Sequence, residues 1–284
     1  MTISPDGRES VAPTVAVLMA VRGADDANHF EEALQSVCRQ TYPALQIWLF
    51  ADGPLERAHE EVIARCLSPG ITARIIRSGS SVGLPAALNQ LIDDALKRDT
   101  VQYLARMDAD DVCLPTRIEE QVRFLEQHTK ISLVGTWCIE FSEPGVPLFH
   151  KRLPVDSAAV PRFMLYRCPL VHPTVMFHRR VFAAGYRYNS EYLQMQDYEL
   201  WSRLVIAGYQ IANIPEYLLW FRMAKNFYAR RTGWRRGWRE VRLRLHYARR
   251  AKLLRPQHLI GLGALLLLRV MPVRVKRLAY LRFR

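Results

Sequence analysis

The chain has 284 residues with 50% hydrophobic and 24% charged content, which is enough for one large or two small globular cores and argues against disorder. Its five cysteines are an odd number without a CxxC pair, so neither a disulfide framework nor a zinc site is indicated, and a reducing compartment is expected. The net charge of +13 is uneven: residues 222–284 hold 19 Lys and Arg and one acid, while the preceding 221 residues hold 21 basic and 26 acidic residues.

The first 110 residues alternate between strand and helix patterns. The apolar run Val15–Val21 is a poor secretion signal, because acids and Pro13 precede it, and it is predicted to be a buried strand. The elements predicted after it are a helix in DANHFEEALQSVCRQT, a strand in LQIWLFADG, a helix over 56–67, a strand in TARIIRS, a helix in AALNQLIDDALKR and a strand in VQYLARMD. This order of apolar strands and helices predicts a parallel, doubly wound sheet that is covered on both faces.

The following 110 residues carry fewer regular signals. The predicted elements are a helix in LPTRIEEQVRFLEQH, a strand in ISLVGTWCIEF, an irregular Pro-rich stretch over 143–175, a helix at the end of EYLQMQDYELWSRLVIAGY and a strand pair in QIANIPEYLLWFR. These segments are expected to extend the same domain rather than form a repeat.

Polar residues end three of the predicted parallel strands, where open α/β sheets bind their ligands. The three strand ends are Ala20–Arg22, Asp52 and the acidic run from Asp108. In an extended chain Asp108 and Asp110 can face the same side, and two carboxylates can hold a hard divalent cation. The alternatives are a polar turn in which Asp111 caps a helix, and a plain Asp-Gly turn at Asp52.

Four further residues are candidates, each with a structural alternative. Gly83 permits a close backbone approach, whereas Asn89 can equally cap a helix or face solvent. Asp197 precedes an apolar helix, where its carboxylate can accept a proton from an attacking hydroxyl or serve as an N-cap. His172 adjoins a proline in a loop, a setting that is more often structural than catalytic. The motifs of dehydrogenases, P-loop NTPases, serine hydrolases and zincins are absent from the sequence.

The basic C-terminal segment contains an amphipathic helix pattern. Its apolar stripe consists of Trp234, Trp238, Val241, Leu245 and Ala248. Pro256 ends this helix, and the apolar run Leu259–Leu268 is shorter than the roughly 20 residues that span a bilayer. The pattern favours an anionic membrane surface. Nucleic-acid binding, and a helical extension that packs on the domain or forms a dimer, remain open alternatives.

In order along the chain, these stretches resemble the family 2 glycosyltransferases, the GT-A fold of bacterial polysaccharide synthesis. The matching pieces are VAVLMAVRGADDANHFEEALQSVCRQTYPALQIWLFADG, SVGLPAALNQLI, RMDADDVCLPTRIEEQVRFLE, HPTVMF and QDYELWSRL. The N-terminal part looks much like exopolysaccharide transferases of the amylovoran type. We therefore expect a tail over 1–13, a GT-A domain with a mostly parallel Rossmann-like sheet over 14–225, and a basic, membrane-associating helical extension over 226–284.

The resemblance implies roles for particular residues. The residues implied for the nucleotide-sugar pocket are Ala20, Val21, Arg22, Asp52, Gly83, Asn89, Arg106 and Asp108. Asp108 and Asp110 would bind Mn²⁺ or Mg²⁺, and Asp197 would act as the general base. His172 and Arg222 are candidate acceptor or loop contacts.

The sequence departs from the family pattern at two places. Gln196 precedes the candidate base where many relatives have Glu. Phe221-Arg222-Met223-Ala224 replaces a Tyr-Arg-x-His motif, so a phosphate or metal contact from that histidine is missing.

The resulting expectation is an inverting, metal-dependent transferase that acts in exopolysaccharide, capsule or O-antigen synthesis. It would move a sugar from a nucleotide donor, a UDP-sugar first, to a lipid-linked saccharide. It would lie at the cytoplasmic face of the membrane without a nucleic-acid partner. The alternatives are a non-catalytic nucleotide- or nucleic-acid-binding protein with the same sheet, and a nucleotidyltransferase that would release pyrophosphate.

Overall fold

The structure, a computed structural model, describes residues 12–67, 70–224 and 233–271. Most of the expected N-terminal tail, and the expected domain boundary at 225, lie outside these ranges. The strands are β1 (Thr14–Val21), β2 (Leu45–Ala51), β3 (Ala73–Arg77), β4 (Val101–Met107), β5 (Val112–Cys113), β6 (Ile131–Glu143), β7 (Val146–Lys151), β8 (Met176–His178) and β9 (Gln210–Arg222).

Helices cover both faces of the sheet that these strands form. They are α1 (Ala27–Cys38), α2 (Arg57–Cys66), α3 (Leu84–Leu96), α4 (Arg117–Gln127), α5 (Val160–Phe163), α6 (Arg180–Ala183), α7 (Gln196–Ile206), α8 (Trp234–Arg250) and α9 (Pro256–Val270), and a 3₁₀ turn lies at His172–Thr174.

The N-terminal half of the sheet is parallel, with the strand order β3-β2-β1-β4. Because side chains alternate along a strand, β1 serves two cores. Val17 and Met19 pack with Phe30 and other residues of α1, while Leu18 packs with Leu88 and other residues of α3. The doubly wound α/β prediction is confirmed for this half, and it aligns the carboxyl ends of four strands at one edge.

The C-terminal half of the sheet is mixed. Strand β8 lies antiparallel between β4 and β6, β6 is parallel to β9, and β5 and β7 add short antiparallel pairs. The expected late strand pair is one strand, β9, whose register against β6 shifts near Pro215, a residue without a backbone N–H to donate. The stretch 143–175, expected to be irregular, includes β7, which follows a tight turn at Gly145 with φ +78°.

Helix α8 packs on the domain through a face that includes Ala248 of the predicted stripe but neither of its tryptophans. Trp234 and Trp238 are 59% and 47% exposed, whereas Tyr247 and the Glu240–Arg244 ion pair are buried. Polar side chains can be buried when they are paired, and an apolar pattern alone does not reveal this. In the described part of the chain, no helix is both long and apolar enough to cross a membrane.

Candidate active site

The turn over 108–111 follows β4 at the carboxyl edge of the parallel strands. Asp108, Asp110 and Asp111 each bring a carboxylate oxygen within 4.8 Å of the others. Although the Asp110 side chain is exposed, its pKa is raised to about 6, mainly because the surrounding protein displaces water and also because of the charges of Asp108 and Asp25. Burial, followed by the charges of the other two acids, raises the pKa of Asp111 well above its ordinary value. A cluster of this kind favours a positive partner.

The end of β9 holds this turn in place. The backbone N–H of Arg222 donates to Asp111 Oδ1 at 2.7 Å, and its Nε donates to the Asp110 carbonyl at 2.7 Å. The guanidinium also pairs with Glu32 of α1. Asp111 therefore belongs to a tertiary contact and does not cap α4. Arg222, expected as an acceptor or loop contact, is here a support for the acidic turn.

A second buried guanidinium contacts the backbone of β4 just before the turn. Arg117, at the start of α4, donates through Nη2 to the Arg106 carbonyl at 2.7 Å and through Nε to Gln121. Burial lowers its pKa. Sequence reasoning missed Arg117, because it stands in an amphipathic pattern where an arginine is usually solvent-facing.

Arg106 is a buried residue of the site whose hydrogen-bond donors are only partly used. Its side chain is 2% exposed and pairs through Nη2 with Asp108. Within the described residues, its Nε and Nη1 have no hydrogen-bond partner, and neither has Asp111 Oδ2. Buried polar atoms are normally satisfied by protein, water or a ligand, so this cluster has the character of a ligand site.

The acidic turn fits a hard divalent cation. Asp110 is solvent-accessible, one Asp108 oxygen lies outside its pair with Arg106, and Asp111 adds the unpartnered Oδ2. An all-oxygen carboxylate set suits Mg²⁺ or Mn²⁺. The residues present are therefore compatible with the expected metal.

The end of β1 lies beside this cluster. Asp25 fixes Arg22 by accepting from its backbone N–H at 2.9 Å and from its guanidinium at 2.8 Å. That hydrogen bond is the main cause of a raised Arg22 pKa, and the charges of Asp52 and Asp110 raise it further. The ends of β1, β2 and β4 therefore converge on Arg22.

Two residues that were expected in the nucleotide pocket have side chains that are buried or half-buried. The Val21 side chain is fully buried in the core, and its carbonyl accepts from the Asp52 N–H at 2.8 Å. Ala20, one residue earlier, is half-buried. A nucleotide contact at these two residues stays a prediction.

Asp52 anchors the loop that leads into α3. It is 3% exposed, and its carboxylate accepts from Ser81 Oγ at 3.0 Å and from the N–H groups of Val82 and Gly83 at 2.6 and 3.2 Å. Gly83 has φ +84°, a conformation that favours glycine. This is more than an Asp-Gly turn, and the expected contact of Asp52 and Gly83 with a nucleotide stays a prediction.

Asn89 joins α3 to the segment before α7. Its side-chain amide donates to the Tyr188 carbonyl at 2.8 Å, and its side-chain oxygen accepts from the Tyr188 N–H at 2.9 Å. The Tyr188 hydroxyl lies 2.9 Å from His172 Nε2. Asn89 therefore positions Tyr188, a residue that sequence reasoning did not select.

Asp197 stands inside the first turn of α7. The helix begins at Gln196, and Met195 precedes it with φ 64°, so Asp197 is not the N-cap. Burial raises the pKa of Tyr188, Arg106 lowers it, and both Asp197 and Asp108 raise it further. Asp108 and Asp197 therefore both act electrostatically on the same tyrosine, although 89 residues separate them in the sequence.

A sheet whose N-terminal half is parallel and ends in an Asp-x-Asp turn agrees with the GT-A fold of glycosyltransferases. The sequence agrees: the model of "Glycosyl transferase family 2" matches residues 17–190. The chain belongs to this family and is a glycosyltransferase.

Two relatives align along nearly the whole chain. "Amylovoran biosynthesis glycosyltransferase AmsE" of Erwinia amylovora is 33% identical over 272 residues, which cover 93% of this chain and 97% of the relative. "UDP-Gal:alpha-D-GlcNAc-diphosphoundecaprenol beta-1,3-galactosyltransferase" of Escherichia coli is 24% identical over 269 residues, which cover 94% and 95%. The family resemblance seen in the sequence is confirmed.

The fold is also that of a solved mannosyltransferase. PcManGT from Pyrobaculum calidifontis, in complex with GDP-Man and Mn²⁺, superposes with a TM-score of 0.63 and 15% identity over 96% of this chain and 81% of that one. This likeness confirms the GT-A fold.

Proposed function

We propose that the protein is an inverting, metal-dependent transferase that moves a sugar from a nucleotide donor to a lipid-linked saccharide in polysaccharide synthesis. The observation that carries the proposal is the acidic turn at the carboxyl edge of the sheet, whose three carboxylate oxygens lie within 4.8 Å of one another; a second carboxylate, that of Asp197, stands in the first turn of α7. A nucleotide-binding protein without catalysis has no need of the second carboxylate. The names of the two relatives support polysaccharide synthesis and a lipid-linked acceptor.

The donor would lie over the ends of β1, β2 and β4. Arg22 supplies positive charge at this edge, and Asp108 and Asp110 would hold the cation. When bound, a divalent cation offsets the charge that develops on the departing diphosphate. A UDP-sugar is the first candidate, because the relative from Escherichia coli is named for one, whereas the mannosyltransferase neighbour makes a GDP-sugar the second.

The acceptor would approach from the side of α7. The Asp197 carboxylate accepts the proton of the acceptor hydroxyl while that oxygen attacks C1 of the donor sugar. The bond between C1 and the diphosphate oxygen breaks on the opposite face, so the anomeric configuration inverts. Tyr188, hydrogen-bonded to His172, would keep the region between the base and the acidic turn ordered.

The protein would work at the inner face of the cytoplasmic membrane. Exposed apolar side chains on α8 and α9, among them Trp234, Leu259 and Ile260, occur with the excess of basic residues that begins at 222. This combination suits an anionic membrane surface. Sedimentation with anionic vesicles, and not with neutral ones, is expected at low salt, and equal sedimentation with both kinds would contradict it.

Asparagine substitutions test the reaction itself. The purified full-length protein is assayed for nucleoside diphosphate release with UDP-, GDP- and CMP-sugars, Mn²⁺ and a membrane lipid extract as acceptor. Asp197→Asn is expected to lower kcat by about 10²–10⁴-fold, as loss of a general base does. Asp110→Asn is expected to remove the response to Mn²⁺.

Asp99→Asn is the control, because Asp99 is fully exposed and precedes β4, at the end of that strand opposite the acidic turn. It should leave turnover unchanged. Full turnover by Asp197→Asn would contradict the assignment of Asp197 as the base. Release of pyrophosphate in place of a nucleoside diphosphate would identify a nucleotidyltransferase.

A further inference from the structure

We propose that a cleft between residues 192–195 and the first turns of α8 binds the diphosphate group of the lipid-linked acceptor. The inference rests on the proposed function in taking the acceptor to be lipid-linked. The cleft is a shallow depression that is open to solvent. It is lined by Tyr192, Gln194, Met195, Arg236, Arg239 and Leu243.

The cleft has a fixed position next to the candidate base. Met195, which lines it, stands two residues before Asp197 and holds a left-handed backbone with φ 64°. On the other side, the Arg244 guanidinium of α8 lies 4.6 Å from the centroid of the Tyr198 ring. Arg244 and Tyr198 both donate to the carbonyl of Met164, at 2.9 and 2.7 Å. The basic wall of the cleft is thereby held to the helix that carries Asp197.

The charge of the cleft suits a diphosphate. Among the described residues that line it are two arginines and no acid, and arginine binds phosphate oxygens through paired, charge-assisted hydrogen bonds. Glu240, the one acid in the sequence of α8, is paired with Arg244 at 3.0 Å. Two phosphates carry more charge than one, so a diphosphate matches two neighbouring arginines better than an ordinary phospholipid headgroup does.

Apolar side chains on the same elements suit a hydrocarbon chain. Leu193 in the loop is 68% exposed. Trp234 and Trp238, on the turns of α8 that also supply Arg236 and Arg239, stack on each other with ring centroids 6.0 Å apart and remain largely exposed. A basic cleft beside exposed apolar side chains is the surface that an anionic amphiphile requires. The saccharide on such a diphosphate would then lie towards Asp197.

Binding of farnesyl diphosphate to the full-length protein tests the site without requiring turnover. Calorimetry is done with UDP and Mg²⁺ present, so that the donor site is filled. Arg236→Ala with Arg239→Ala is expected to weaken binding at least tenfold. Arg249→Ala with Arg250→Ala removes the same charge from exposed positions at the other end of α8 and is expected to change affinity less than twofold.

Three outcomes would overturn the proposal: wild-type affinity in the Arg236/Arg239 variant, an equal loss in the control variant, or complete competition by UDP. Farnesol and inorganic pyrophosphate separate the two parts of the ligand, and each alone should bind at least tenfold more weakly. Equal binding of pyrophosphate would indicate a general anion site instead. Arg239→Glu, at an exposed position, provides a second variant if the double substitution impairs folding.

Kinetics distinguish failure of this inference from failure of the proposed function. The Arg236/Arg239 variant should raise KM for a saccharide on a prenyl diphosphate at least tenfold, and leave KM unchanged for the same saccharide on a neutral alkyl chain. Transfer that occurs with both acceptors at unchanged KM overturns the diphosphate site alone. An absence of any sugar transfer by the wild type contradicts the proposed function. The calorimetry then still tests whether the cleft binds a prenyl diphosphate.

Discussion

Arg222 shows how one side chain can control the geometry of the acidic turn. Its polar contacts include the Asp110 carbonyl, the Asp111 carboxylate through its backbone N–H, and Glu32. The first fixes the backbone of a candidate metal ligand directly. The family motif at this point normally ends in a histidine that is missing here, which leaves the arginine as its remaining polar member.

We therefore expect Arg222→Ala to raise the Mn²⁺ concentration required for activity about tenfold and to lower the free energy of unfolding by about 1–3 kcal/mol, the cost of hydrogen bonds to a charged group. Activity titrations with Mn²⁺ and urea denaturation measure the two effects. Glu32→Gln keeps the bond to the Asp110 carbonyl and should alter both much less. A loss of stability without any change in the Mn²⁺ requirement would show that Arg222 is structural only.

His172 gives the folding stability a pH dependence. Burial, and then the charge of Arg106, lower the pKa of His172 well below its usual value of 6.5. Below pH 6.5 the unfolded chain therefore binds a proton that the folded chain does not, so stability falls as the pH falls. The slope for one such group reaches at most about 1.4 kcal/mol per pH unit.

His172→Gln retains a polar partner for Tyr188 but cannot take up that proton. We expect the variant to lose less stability than the wild type between pH 6.5 and 5, in urea denaturation at several pH values. His246→Gln, at an exposed position of α8, should leave the wild-type slope in place. Parallel stability curves for the wild type and His172→Gln would contradict the prediction.

At the scale of elements, the loop from β3 to α3 depends on one glycine. Gly83 combines φ +84° with ψ 154°, and its N–H donates to Asp52. A residue with a side chain is strained in this conformation by about 1–3 kcal/mol. We expect Gly83→Ala to lower the free energy of unfolding by that amount and to loosen the loop that Asp52 holds.

Gly79→Ala is a matched control in the same loop. A Cβ atom at Gly79 would meet nothing within 4 Å, and its φ lies outside the strained region, so the substitution should be neutral or slightly stabilising. Urea denaturation of both variants measures the difference. Equal stability of the two would mean that the loop can adopt another conformation.

The first half of the sheet was predictable because the sequence patterns that specify its strands and helices are local. Each of β1, β2 and β4 is a run of seven or eight residues with strong apolar character, separated by helices of periodic pattern. In contrast, β5 has two residues and β8 has three, too few for any periodicity. Their pairing depends on neighbours far along the chain.

The site was predictable to the extent that single residues end predictable strands. Asp52, Asp108 and Asp110 follow apolar strands, and the family resemblance added Asp197. The supporting contacts were not predictable, because they join distant segments: Arg222 contacts Asp110 across 112 positions. A buried arginine or a paired asparagine has no local pattern that distinguishes it from an exposed one.

At the scale of the whole molecule, the basic extension is part of the domain as well as a candidate membrane surface. Leu243, Tyr247 and Ala248 of α8 are buried in the cluster that contains Trp201 of α7, and the Tyr247 hydroxyl donates to the Pro161 carbonyl at 2.9 Å. Of the alternatives raised by the sequence of the basic segment, a helix packed on the domain therefore describes α8. A membrane contact would use the residues that this packing leaves exposed.

Removing α8 should therefore destabilise the catalytic domain itself. Burial of a large apolar side chain contributes about 1.5–3 kcal/mol, so loss of Leu243 and Tyr247 alone would cost about 3–6 kcal/mol, a large part of the 5–15 kcal/mol typical of a domain. A chain that ends at residue 224 is expected to unfold at much lower urea concentration than the full chain, or to fail to fold. Trp234→Ala with Trp238→Ala removes only exposed rings and should leave the urea midpoint unchanged while it weakens binding to anionic vesicles. If the shortened chain unfolded at the same urea concentration as the full chain, α8 would be a membrane element that the catalytic domain does not need for its stability.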